Sequence, residues 1–84
     1  MISKDVTVNS PNGLGGRPIA LLVQVASRYD SSVYVQCENK KVNAKSIMGM
    51  MSLALPTGSN VTVTVNGTDE EAAMKDIEAY LRNE

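Results

Sequence analysis

The 84-residue chain has no histidine, no tryptophan and no phenylalanine, one cysteine, and three aromatic residues that are all tyrosine. Each shortage closes a class of function. Without histidine there is no Ser-His or Cys-His nucleophile pair and no histidine-based metal site. A lone Cys37 cannot close an internal disulfide. Its place after Val35-Gln36 predicts an inward strand position, a small buried hydrophobe in a reducing cytoplasm. The scarcity of rings leaves Val, Leu, Ile, Met and Ala to build the core. Cationic residues are few as well, eight Lys and Arg against nine Asp and Glu, for a net charge of −1. A nucleic-acid partner needs clustered Lys and Arg, so none is expected. The longest apolar run, Ile19 to Val23, falls far short of the roughly 20 residues that span a bilayer, and no membrane partner is expected.

What the chain does have is an ordinary globular composition, 43% hydrophobic and 20% charged. At this length it forms one domain over residues 1–84, with little volume left for a deep catalytic cavity. Four segments carry strand patterning. Val6 and Val8 alternate with polar neighbours, Val33, Val35 and Cys37 share a face, and Lys41-Val42-Asn43 follows a tight turn at Glu38-Asn39-Lys40. Val61, Val63 and Val65 alternate with Thr62 and Thr64 in the clearest strand of all. Period-two spacing of β-branched residues marks a sheet with one buried face.

Three segments carry helical patterning. One starts near Pro18, with Leu22, Ala26 and Tyr29 on one side. A second runs from Ser46, its N-cap, to about Leu53 and is closed by Pro56 to Gly58. A third opens with a capping box, Thr68 and Glu71, and carries Ala73, Ile77 and Leu81 on one stripe. The order βαββαβα predicts an α+β fold, a four-stranded antiparallel sheet with three helices on one face.

Two stretches stand out. Gly13-Leu14-Gly15-Gly16-Arg17-Pro18 begins like a dinucleotide loop but places Pro where the third glycine belongs, so no nucleotide cofactor is implied. Gly16 and Arg17 ahead of a helix instead suit an anion, although glycines here also serve as plain turn residues. Lys45-Ser46-Ile47-Met48-Gly49-Met50-Met51-Ser52-Leu53 is short, rich in Met and interrupted by Gly49. Helical spacing turns Met50 and Leu53 toward the sheet and leaves Ile47, Met48 and Met51 outside. Such a Met patch serves docking or is simply a loosely packed cover. The acidic run Asp69-Glu70-Glu71 is read as helix-dipole compensation, not as a catalytic cluster.

Taken together, Leu14-Gly15-Gly16-Arg17-Pro18 and Val42-Asn43-Ala44-Lys45-Ser46-Ile47-Met48-Gly49-Met50-Met51-Ser52-Leu53 resemble HPr, the phosphocarrier of the bacterial sugar phosphotransferase system. The resemblance extends over essentially the whole chain and implies that family's open-faced β-sandwich. It also implies that Gly15 occupies the place of the phosphorylatable histidine. Glycine has no atom that can accept and release a phosphoryl group, so the relay does not carry over. Ser46 matches the serine that HPr kinase/phosphorylase modifies in low-GC Gram-positive HPr proteins. An intact serine beside a missing histidine is similar to the Crh-like branch of the family, a non-enzymatic cytoplasmic regulator of carbon catabolite repression. There the seryl-phosphorylated form is corepressor to a LacI-type catabolite control protein. By that resemblance Gly16 and Arg17 form an anion and docking element, and Leu14, Ile47, Met48, Gly49 and Met51 form the partner surface. The alternative is an HPr-related decoy, or a relic or engineered carrier, that docks phosphotransferase-system enzymes without carrying phosphate.

Overall fold

The computed structural model describes residues 1–9, 16–53 and 55–83. Among them run β1 (Ile2–Thr7), α1 (Gly16–Ser27), β2 (Ser32–Cys37), β3 (Lys40–Asn43), α2 (Ile47–Met51), β4 (Asn60–Asn66) and α3 (Glu70–Arg82). The strands form one sheet in the order β1-β4-β2-β3, and every adjacent pair is antiparallel. The expected α+β architecture is therefore present.

Valine alternation sets the register. Val6 faces Val61 across β1 and β4, and Val33 and Val35 face Val65 and Val63 across β2 and β4. All six are buried on one side of the sheet. Ile19, Leu22 and Ala26 from α1, Met50 from α2, and Ala73, Met74, Ile77 and Leu81 from α3 close over them. Apart from aliphatic side chains and Met, no residue type contributes to this cluster, as the scarcity of rings requires. The opposite face is polar and bonded across strands: Thr62 donates to Asp5 at 2.8 Å and Thr7 to Asn60 at 2.7 Å.

Four local expectations need correction. Tyr29 lies beyond the end of α1, which stops at Ser27. Its ring packs at the margin of the core while its hydroxyl donates to Asp76. Helix α2 stops at Met51, short of Leu53, and Ser52 is its C-cap. Cys37 is half-buried rather than inside, because the sheet ends there. It lines an open cleft with Glu38, Lys40, Ser52, Leu53, Pro56 and Ser59.

Helix α3 shows the fourth difference. Its N-cap is Asp69, one residue later than expected, and Asp69 makes no side-chain cap bond. The reaching-back half of a cap comes from Glu70, which accepts the Gly67 N–H at 3.2 Å. The Asp69 carboxylate is turned toward the loop before β2. There it accepts the N–H groups of Asp30 and Ser31 at 2.8 and 2.9 Å and the Ser31 hydroxyl. Led by the Ser31 hydroxyl and then the Asp30 N–H, these donors hold the Asp69 carboxyl below its ordinary range.

Candidate functional site around Ser46

Ser46 ends the turn that leads out of β3. Asn43 builds that turn twice over: its side-chain oxygen accepts the Lys45 N–H at 2.9 Å and its carbonyl accepts the Ser46 N–H at 3.0 Å. Ser46 then takes the extended conformation typical of an N-cap, φ −102° and ψ 112°, and its Oγ accepts the Gly49 N–H at 3.2 Å. The predicted cap is in place. Its oxygen accepts from the helix, and among the described residues no acceptor takes its proton.

Helix α2 is only five residues long, too short to be stable by itself, and is held by its ends and one anchor. Met50 is the anchor, fully buried against the sheet, with Leu53 beside it in the core. At the far end the Lys40 ammonium donates to the Ser52 carbonyl at 3.1 Å. At the near end Lys45 donates to the Tyr29 carbonyl at 2.6 Å.

Helical spacing turns the remaining side chains outward. Ile47 is 42% exposed, Met51 58% and Met48 81%. Together they form an apolar patch beside the Ser46 hydroxyl. Gly49 has no side chain; a Cβ there would sit 3.4 Å from Ser46 Oγ, at contact distance.

Ser46, Ile47, Met48, Gly49 and Met51 are therefore brought together on one short element. Leu14 and Gly15, and the side chain of Arg17, lie outside the described residues; Gly16 opens α1. Sequence reasoning missed two features. Leu21 on α1 is exposed, although the pattern that buries Leu22 and Ala26 turns it outward. Lys45 was passed over because a lysine is ordinarily a solvated residue, and no periodicity marks one that is bonded to main chain. No helix among the described residues is long and apolar enough to cross a membrane.

Comparison with known proteins places this geometry among relatives. The family described as "PTS HPr component phosphorylation site" matches residues 2–83. The chain is 48% identical to the HPr-like protein Crh of Bacillus subtilis strain 168 over 84 residues, covering 100% of this chain and 99% of that protein. Its fold is similar to the crystal structure of the phosphocarrier protein HPr from Bacillus anthracis, with a TM-score of 0.92, 48% identity and 95% of each chain covered. It is also similar to the crystal structure of Bacillus subtilis Crh, described as a domain-swapped dimer. There the TM-score is 0.80 and the identity 48%, over 100% of this chain and 97% of that one.

Proposed function

We infer the function of this chain from one premise: it belongs to the HPr family of the bacterial phosphotransferase system. Members of that family include phosphocarriers, which are not themselves enzymes, and a carrier needs a nucleophilic nitrogen. This sequence contains no histidine at all. We propose that Gly15 stands in the carrier position, that the chain relays no phosphate to sugar, and that it acts in the cytoplasm as a regulatory module switched at Ser46.

The switch is a single phosphoryl transfer. HPr kinase/phosphorylase presents ATP to the Ser46 hydroxyl. A bond forms between Oγ and the γ-phosphorus, the bond to the β-bridging oxygen breaks with its electron pair leaving on ADP, and the hydroxyl proton passes to a base of the kinase. The phosphate adds about −1.5 to −2 charge, which takes the net from −1 to roughly −3. At a helix N-terminus that charge is favourable by only about 0.3–1 kcal/mol, too little to refold the domain. The change is one of surface: an anion appears beside Ile47, Met48, Gly49 and Met51. These residues form the face offered to a LacI-type catabolite control protein, for which the phosphorylated chain is corepressor; the family resemblance assigns Leu14, Gly16 and Arg17 to the same role.

The observation that carries this reading is a capping serine hydroxyl rimmed by exposed methionines in a chain that lacks histidine. Incubation with HPr kinase and ATP, followed by peptide mass spectrometry, should place one phosphate on Ser46. The phosphoenolpyruvate-dependent enzymes should place none anywhere. Label accepted from phosphoenolpyruvate and delivered to a sugar permease component would overturn the reading. An unphosphorylated chain that slows sugar phosphotransfer by competition would favour the decoy instead.

A further inference from the structure

We propose that Lys45 is a positioning residue for Ser46: its ammonium, fixed on the Tyr29 carbonyl past the end of α1, holds the turn that presents the Ser46 hydroxyl. The proposal rests on the reading of Ser46 as phosphoryl acceptor and adds the residue that governs how well the acceptor is placed.

Lysine normally keeps its ammonium in water, and tying down four carbons costs rotamer entropy. Lys45 does otherwise. It is half-buried, and its Nζ donates to the Tyr29 oxygen at 2.6 Å. The acceptor is well suited to it. The N–H groups of Arg28 and Tyr29 turn back to the carbonyls of Val25 and Ala26 at 3.3 Å, which finishes α1. An ammonium at this end of a helix meets the negative end of its dipole. Tyr29 is itself pinned, because its phenol donates to Asp76 of α3. That bond is the largest cause of a phenol pKa raised above its ordinary value.

A continuous line of bonds thus runs from Asp76 through Tyr29 to Lys45, the residue before the cap. Lys45 is held at its main chain too, by Asn43 Oδ1 at 2.9 Å. With both ends of Lys45 fixed, the following Ser46 has little freedom, and its Oγ stays on the Gly49 N–H. Phosphoryl transfer requires the attacking oxygen about 3–3.5 Å from phosphorus and in line with the leaving group, and a displacement of roughly 1 Å can cost two orders of magnitude. Lys45 takes no part in the bonds made or broken. It sets where Oγ stands. The neighbouring lysines are engaged elsewhere, Lys40 on the Ser52 carbonyl and Lys41 over the Tyr34 ring at 5.2 Å from its centroid.

Four variants test this in steady-state phosphorylation by HPr kinase and ATP, with hydrogen exchange of the Gly49 amide followed by NMR. Lys45→Met keeps the stem and removes the donor. It should lose about tenfold in kcat with KM held within about twofold, and its Gly49 amide should exchange faster. Lys45→Arg restores a donor and should recover most of the rate. Tyr29→Phe removes the phenol's bond to Asp76, loosens the residue whose carbonyl holds Lys45, and should lose about two- to threefold in kcat. Lys41→Met removes the same charge from β3, where the ammonium lies over the Tyr34 ring and does not bond α2, and should match the parent. Parental kcat in Lys45→Met overturns the proposal. So does a loss lying wholly in KM with Gly49 exchange unchanged, since that marks a lysine that touches the kinase directly. If the parent chain accepts no phosphate at Ser46, the functional reading fails. Gly49 exchange in Lys45→Met then decides the tether alone, faster exchange supporting it and unchanged exchange overturning it.

Discussion

Helices α2 and α3 reach the same layer of the molecule by different means. Helix α3 is 13 residues long, buries Ala73, Met74, Ile77 and Leu81, and starts with acids and ends with Arg82. Arg82 pairs with Glu78 at 2.8 Å, and the helix closes on Asn83 in the left-handed conformation. Helix α2 has five residues and a single buried one, Met50. It persists because Ser46 caps it, Lys40 bonds the Ser52 carbonyl at its far end, and Lys45, just before the cap, is tied to the Tyr29 carbonyl past α1. Where burial dictates the residues, as in α3, the sequence describes the fold. Where it does not, as in α2, two methionines stay exposed around a serine, and bonds at the ends take the place of burial.

That contrast can be broken by experiment. Ile77→Ala should cost about 2–5 kcal/mol in denaturant unfolding, since a fully buried side chain of α3 would leave a cavity. A loss under 1 kcal/mol would mean that α3 contributes far less to the core than its burial implies. Gly67→Ala, just ahead of α3, should cost about 1–3 kcal/mol. Its Cβ would fall 2.5 Å from Ser31 Cα and 2.8 Å from Ser31 Cβ, and the backbone at 31 cannot step aside without loosening the bonds to Asp69. Ser46→Ala should cost about 1 kcal/mol by removing the cap on Gly49, while Ser46→Asp should keep the cap and most of the stability. Met48→Ala should leave the midpoint within about 0.5 kcal/mol of the parent, because its side chain lies largely in water. A clear destabilisation there would show that Met48 packs rather than docks.

Much of the fold was legible because valine repeats every second residue and the apolar stripe of α3 every third or fourth. Those periods carried the element order, the buried faces and the outward set Ile47, Met48 and Met51. Thr68 and Glu71 match a capping box as written, yet α3 starts one residue later, and only Glu70 reaches back, to the Gly67 N–H. No local pattern could announce that the Asp69 carboxylate would serve Asp30 and Ser31, which lie nearly forty residues earlier in the chain. Ser46 was legible as a cap from its position alone. Lys45 was not, because its acceptor is a main-chain oxygen that any residue at 29 would offer. Cys37 was placed too deep, because strand alternation does not say where a sheet ends.

The place of β1 at one margin of the sheet bears on how the chain assembles. Among the described residues its only strand neighbour is β4, so Ile2 must find Val65 across roughly sixty intervening residues, whereas β2 meets β3 across a two-residue turn. Closing so wide a loop is entropically harder than closing a hairpin, and pairings distant in sequence slow folding. The β2–β3 hairpin is accordingly an early, inexpensive step in refolding and the docking of β1 a late one. Until β1 arrives, β4 presents an open ladder of hydrogen-bonding groups.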